Sequence, residues 1–205
     1  MSRGDFKAWF VDRMTERTDR EFGDKRRALL SEAHGRVLEI GAGTGANIRH
    51  YPETVEELVL LEPSEPFARR IRMKLNEGGR EATVVPGKAE ALPFDDASFD
   101  TVVLTFVLCT VDDQSRALAE VRRVLKPNGT LLFAEHVRAD DPRLARWQDR
   151  LNGVWGHVAD GCNCNRETVA ALEASPLSVD RLERGTLPKS PRLVRPLVMG
   201  KASPR

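Results

Sequence analysis

Cysteine is scarce in this chain, with three in 205 residues. A small, odd number argues against a disulfide framework and fits a reducing compartment. Cys162 and Cys164 lack a second pair or a well-spaced histidine, so no metal site is expected. Charge of one sign is missing too: 32 Lys and Arg face 31 Asp and Glu, for a net charge of +1. That balance gives no electrostatic reason to bind nucleic acid. No stretch approaches the ~20 apolar residues of a membrane-spanning helix. The first 25 residues are dense in charge, without an apolar run of signal-peptide length, so a cytoplasmic protein is expected.

What is present is an ordinary globular composition, 40% apolar and 31% charged, at a length that suits one domain. The apolar spacing predicts a helix over 5–33, interrupted near Gly23. Short apolar runs predict strands over 36–40, 58–61, 82–85, 101–107 and 130–135, with helices over 67–77 and 114–125 between them. This alternation implies a parallel sheet with helices on both faces. Beyond it, helices are expected over 144–156 and 166–174, and final strands over 179–187 and 193–199. The proline-rich, basic tail is expected to fray. The chain therefore divides into an N-terminal helical lid (1–34), a cofactor-binding core (35–136) and a substrate-side region (137–205).

The first strand runs into Val37-Leu38-Glu39-Ile40-Gly41-Ala42-Gly43-Thr44-Gly45. A side-chain-free turn there lets the backbone approach a ligand at the carboxyl end of the strand. Gly41 and Gly43 followed by Ala46 also satisfy the dinucleotide fingerprint, so a nicotinamide cofactor and S-adenosylmethionine are both open. Glu39 would meet the ammonium of a methionine moiety but repel a pyrophosphate. Glu62 ends the second strand and can accept from both ribose hydroxyls, a device that either ligand uses.

A third block, Gly87-Lys88-Ala89-Glu90-Ala91-Leu92-Pro93-Phe94-Asp95-Asp96-Ala97-Ser98-Phe99-Asp100, joins the loop and Val121-Arg122-Arg123-Val124-Leu125-Lys126-Pro127-Asn128-Gly129. Together they closely resemble class I S-adenosylmethionine-dependent methyltransferases, over roughly 36–136. The resemblance implies a seven-stranded, doubly wound, Rossmann-like sheet with an antiparallel last strand. It implies S-adenosylmethionine as methyl donor, with S-adenosylhomocysteine as product. Its cofactor-binding set here is Glu39, Gly41, Gly43, Gly45, Asn47, Glu62, Pro63, Lys88, Ala89, Glu90, Thr105 and Phe106. Lys88 departs from the pattern, since many members carry an Asp there that accepts from the adenine amino group; backbone or Glu90 would replace it.

The C-terminal third resembles a narrower branch, the alkyl-thiol S-methyltransferases. Glu135-His136-Val137, Trp147-Gln148, Trp155, Asp160-Gly161-Cys162-Asn163, Arg166-Glu167 and Leu193-Val194-Arg195-Pro196 carry it. A small-molecule acceptor is expected, a thiol first; a phenol, amine or quinone carbon is the alternative, and a non-catalytic cofactor-binding module a second one. A thiol with pKa about 8.5 needs only modest help to ionise. His136, ending strand five, is the first candidate base, with an ordinary pKa of about 6.5 that suits proton removal. Asp160 is the second, as base or as the group orienting His136. Phe10 on the lid, Cys109, Trp155 and Arg166 complete the substrate side. Bland alternatives stand beside them: Cys109 as a small core residue, Trp147 and Trp155 as core, and Arg166 as the partner of Glu167 or Asp160.

Overall fold

A computed structural model describes residues 3–159 and 161–205. Strands β1 (Gly35–Ile40), β2 (Val55–Leu61), β3 (Thr83–Val85), β4 (Phe99–Thr105), β5 (Leu125–His136), β6 (Leu177–Thr186) and β7 (Pro196–Pro204) form one sheet. Its order is β3-β2-β1-β4-β5-β7-β6. β1 to β5 pair in parallel, while β7 runs antiparallel to both β5 and β6. Helices are α1 (Arg3–Leu30), α2 (Glu65–Gly78), α3 (Gln114–Val124), α4 (Pro142–Val158) and α5 (Thr168–Ala174).

Both faces of the sheet are covered, which is why its inner strands read as unbroken apolar runs. Leu38, Leu104 and Phe133 face α3 and α5 through Leu118, Val121 and Leu172. Val37, Leu60 and Val103 face α1 and α2 through Phe22, Leu30 and Ile71. The strand order turns outward in opposite directions from β1 and β4. Ligands bind open α/β sheets at the carboxyl ends of two such strands.

Three local expectations are overturned. Gly23 does not interrupt α1, which runs unbroken through it. A helical glycine costs only ~1 kcal/mol relative to alanine, and buried Phe22, Arg26 and Leu30 on either side supply the packing that outweighs it. The strand expected from 130 begins at Leu125, with the proline–glycine turn absorbed as a break in register between β4 and β5. The tail does not fray: residues 192–194 form a single 3-10 turn, and the following strand lies between β5 and β6. Two ladders hold its backbone, and Pro196 and Pro204 stand at its ends, where a missing N–H is tolerated. Trp147 is exposed rather than core, as are Phe6, Trp9 and Phe10 on α1.

Candidate functional site

The site is assembled from the turns that leave β1 and β4. Gly41 and Gly43 have φ of 64° and 57°, a region that side-chain-bearing residues seldom enter. A Cβ on Gly41 would stand 2.8 Å from Val107 Cγ2, so the two turns touch only because that carbon is absent. A Cβ on Gly43 would meet nothing nearer than the Gly41 carbonyl oxygen at 4.0 Å. Steric contact therefore shapes the first glycine's position, whereas the second presents open backbone.

Glu39 is buried, with its Oε1 accepting from Asn47 Nδ2 at 2.9 Å and its Oε2 from the Tyr51 hydroxyl at 2.8 Å. Asn47 Nδ2 also donates to Thr105 Oγ1 at 3.0 Å, and its Oδ1 accepts from Arg26 of α1. Burial pushes the Glu39 carboxyl up to about 7, although the Tyr51 and Asn47 hydrogen bonds and the Arg26 charge oppose it. A carboxyl left at that value would gain from a cation brought against it. Glu62, at the end of β2, accepts from Gly43 N–H at 2.8 Å and Ser64 N–H at 2.9 Å. Pro63 beside it is exposed. Gly43 and Glu62, expected to serve one ligand, are thus joined directly.

The third block comes to the same edge. Ala89 is buried, and Glu90 accepts from the Asp112 N–H at 2.7 Å, which ties it to the turn before α3. Lys88 points to solvent and pairs with Asp112 at 3.4 Å.

Phe106 follows β4 with φ of 60°, an uncommon conformation for an aromatic residue. Its N–H donates to the Ala134 carbonyl at 2.8 Å. The next two N–H groups, of Val107 and Leu108, donate to Glu135 Oε1 at 2.9 and 3.0 Å. These bonds hold the turn and aim the Phe106 ring between Phe22 of α1, 5.8 Å away, and the His136 imidazole, 4.5 Å away. Glu135 Oε2, His136 Nδ1 and Trp155 Nε1 are all buried without a hydrogen-bond partner. Burial moves His136 down to about 4, against a hydrogen bond that its imidazole donates to the Val194 backbone carbonyl. The imidazole is therefore neutral near pH 7, and it is a weaker base than an ordinary histidine.

Beyond His136 the wall is apolar and sulfur-bearing. Cys109, Cys162, Cys164 and Val194 form a buried cluster against which Phe106, Trp155 and Leu193 pack. Arg166 is not paired with Glu167; its Nη2 donates to the Val111 carbonyl at 2.8 Å, and Glu167 faces Arg138. Asp160 lies outside the described residues. Phe10 is 51% exposed, and Phe22, which the apolar spacing did not single out, is the α1 aromatic that reaches the site. Glu135 carried one legible signal, a charge inside an otherwise apolar strand. The polar network of Asp19 and Arg26 carried none, because its partners Asn47, Arg49 and His50 lie on another element. Open clefts of about 270 and 530 Å³ flank α1, and neither is lined by Glu39, Glu62, Phe106 or His136. Among the described residues no group of three or more His, Cys, Asp or Glu is placed to hold a metal.

Sheet order and glycine turn together define a class I methyltransferase. The family described as Methyltransferase domain matches residues 38–133. Human thiol S-methyltransferase TMT1B is 36% identical over 92% of this chain and 82% of its own length. Human thiol S-methyltransferase TMT1A is 35% identical over 95% and 84%. In three dimensions the chain resembles the YcgJ protein of Bacillus subtilis, with a TM-score of 0.66 at 20% identity over 89% of this chain and 94% of that one. The chain belongs to the thiol S-methyltransferase family. It is an S-adenosylmethionine-dependent methyltransferase of the Rossmann-like class. Among the described residues no helix is long and apolar enough to cross a membrane.

Proposed function

We propose that the protein methylates the sulfur of a small thiol. The observation that carries this reading is the buried, sulfur-lined wall of Cys109, Cys162 and Trp155 next to Phe106 and His136, in a chain whose relatives carry thiol S-methyltransferase names. S-adenosylmethionine supplies an electrophilic methyl on a positively charged sulfur. In this reading Glu39 holds its ammonium, Glu62 its ribose hydroxyls, Gly43 and Gly45 approach it as bare backbone with Asn47 behind them, and Ala89 and Glu90 flank its adenine. Thr105 and Phe106 line its methionine end, and α1 acts as a lid.

The chain's remaining task is alignment, and orientation alone is worth roughly 7–11 kcal/mol in such displacements. The strained Phe106 turn fixes the floor of the site. His136 is neutral, so its Nδ1 can accept a hydrogen bond from an acceptor S–H without bringing a repelling positive charge to the site. Charge development then favours acceptors that ionise easily, because a proton must leave the sulfur and His136 at about 4 takes it reluctantly.

The test is methyl transfer from labelled S-adenosylmethionine to a panel of thiols, alcohols, amines and phenols. Label is expected in sulfides alone. In His136→Ala the rate should fall most for the least acidic thiols. Transfer confined to oxygen or nitrogen acceptors would overturn the reading.

Glu39 makes cofactor binding depend on pH. Its carboxyl stands at about 7 without ligand, and a bound ammonium favours the ionised form. Binding below that pH therefore releases a proton. Affinity for S-adenosylhomocysteine should strengthen as pH rises from about 6 and level off above about 7.5. Glu39→Gln should flatten the profile. A flat profile in the unsubstituted protein, measured by calorimetry, would remove Glu39 from the ammonium site.

A further inference from the structure

Three cysteines are free in this structure, and two of them meet. Cys109 Sγ and Cys162 Sγ are 3.7 Å apart, although 53 residues separate them. The adjacency that the sequence suggests, Cys162 with Cys164, is not the one that the fold makes. Asn163 fastens the two backbones together: its N–H donates to the Cys109 carbonyl at 2.8 Å and its side chain to the same oxygen at 3.2 Å. Cys109 lies in the turn that Glu135 Oε1 anchors, and the charge of the same carboxyl, whose Oε2 is unpaired, acts on its thiol. On the other side, the Trp155 indole packs against the cluster that holds Cys162, and its buried N–H acts on that sulfur. Two thiols in contact, with backbones clamped and with a buried polar group at each end, are an unusual way to fill an apolar core.

We infer that Cys109 and Cys162 form a redox site in the wall of the acceptor pocket, which small organic disulfides, the oxidised form of the acceptor class, convert to an intramolecular disulfide. The choice of oxidant rests on the thiol-acceptor reading; the dithiol itself does not. Cys162, 7% exposed, is the sulfur that a disulfide reaches first, since Cys109 is 1% exposed. Cys162 attacks one sulfur of R–S–S–R, breaking that bond and releasing one R–S⁻. Cys109 then attacks the Cys162 sulfur, which forms the protein disulfide and releases the second R–S⁻. The two cysteine protons end on two R–SH, and two electrons pass from protein to probe. The pKa directions set the order of attack: the Cys109 hydrogen bond lowers Cys162 against burial, so Cys162 attacks first, while Cys109 is raised and follows only when the mixed disulfide stands beside it. A bond of ~2.05 Å draws the sulfurs together from 3.7 Å and ties the turn after β4 to the loop after α4. Activity in the oxidised form should therefore fall.

The experiment exposes the full chain to bis(2-hydroxyethyl) disulfide, removes the probe, and reads three quantities: titratable thiols after denaturation, intact mass and methyl transfer. The expected result is a drop from three thiols to one, a mass lower by two hydrogens, and lost activity that dithiothreitol restores. Cys162→Ala should abolish the loss of hydrogens, and Cys164→Ala should keep it, whatever their basal rates. Three thiols still titrating, or a stable adduct of the probe in place of the lost hydrogens, would overturn the inference. Thiol count and mass do not depend on turnover, so failure of the acceptor panel leaves this result readable by itself.

Discussion

Glu62→Ala is expected to weaken binding of S-adenosylhomocysteine by about 100-fold or more, while turnover at saturating cofactor changes little. Two effects combine. A carboxylate at the end of β2 would accept from both ribose hydroxyls, and hydrogen bonds to a charged group are worth about 1.5–3 kcal/mol each. The same carboxylate receives the N–H groups of Gly43 and Ser64 at 2.8 and 2.9 Å, so its removal also releases the open turn that approaches the ligand. Glu62→Gln keeps acceptor oxygen and should fall between the two. The ribose is remote from the transferred methyl, so the loss belongs in cofactor affinity rather than in the chemical step. Calorimetric titration of each variant measures it. Unchanged affinity in Glu62→Ala would place the ribose elsewhere.

The parts of this fold that were legible in the sequence are those whose cause is local. Leu58 to Leu61 and Val102 to Leu104 read as strands because strands buried on both faces leave no polar alternation to hide them. Gly41 and Gly43 read as a tight, side-chain-free turn because few residues besides glycine adopt their φ. The tail misled for a physical reason: its composition is that of a fraying end, and its order comes from β5 and β6, which lie far away in sequence. Gly23 misled in the same way, since helix propensity is small beside the burial of Phe22 and Leu30.

The acceptor side was harder to read. His136 was visible as a histidine at a strand end, but its neighbourhood was not, and burial beside Phe106 moves it to about 4 rather than the ordinary 6.5. In the proposed reading that shift makes it a neutral hydrogen-bond acceptor rather than the proton taker expected from the sequence. The Cys109–Cys162 contact and the α1 network are pairings between distant elements, and no spacing rule encodes such pairings.

That α1 network carries the second large effect. Asp19→Ala is expected to lower stability by about 3–5 kcal/mol, the usual cost of removing one partner from a buried ion pair. Asp19 and Arg26 have side chains 1% and 4% exposed and stand 2.8 Å apart. Arg49 and His50 also reach Asp19, so one carboxylate joins α1 to the residues that follow the glycine turn. Burial raises the Asp19 carboxyl, but the hydrogen bonds of Arg49 and His50 and the charge of Arg26 outweigh it and hold the group at about 2. A folded-state pKa below the unfolded value means that the contribution is complete above the unfolded value, near 3.8, and is lost as pH falls through about 2. Thermal melts of the two proteins should therefore differ by about 10 °C at neutral pH and converge in acid. Asp19→Asn keeps acceptor oxygen without the charge, and should retain the fold with an intermediate melt. Because Arg26 also holds Asn47, and Asn47 holds Glu39, the same variant should bind S-adenosylhomocysteine more weakly at a temperature where it is fully folded. Equal melts across pH would mean that Phe22, Leu29 and Leu30 alone seat α1, and that the buried charges merely accompany it.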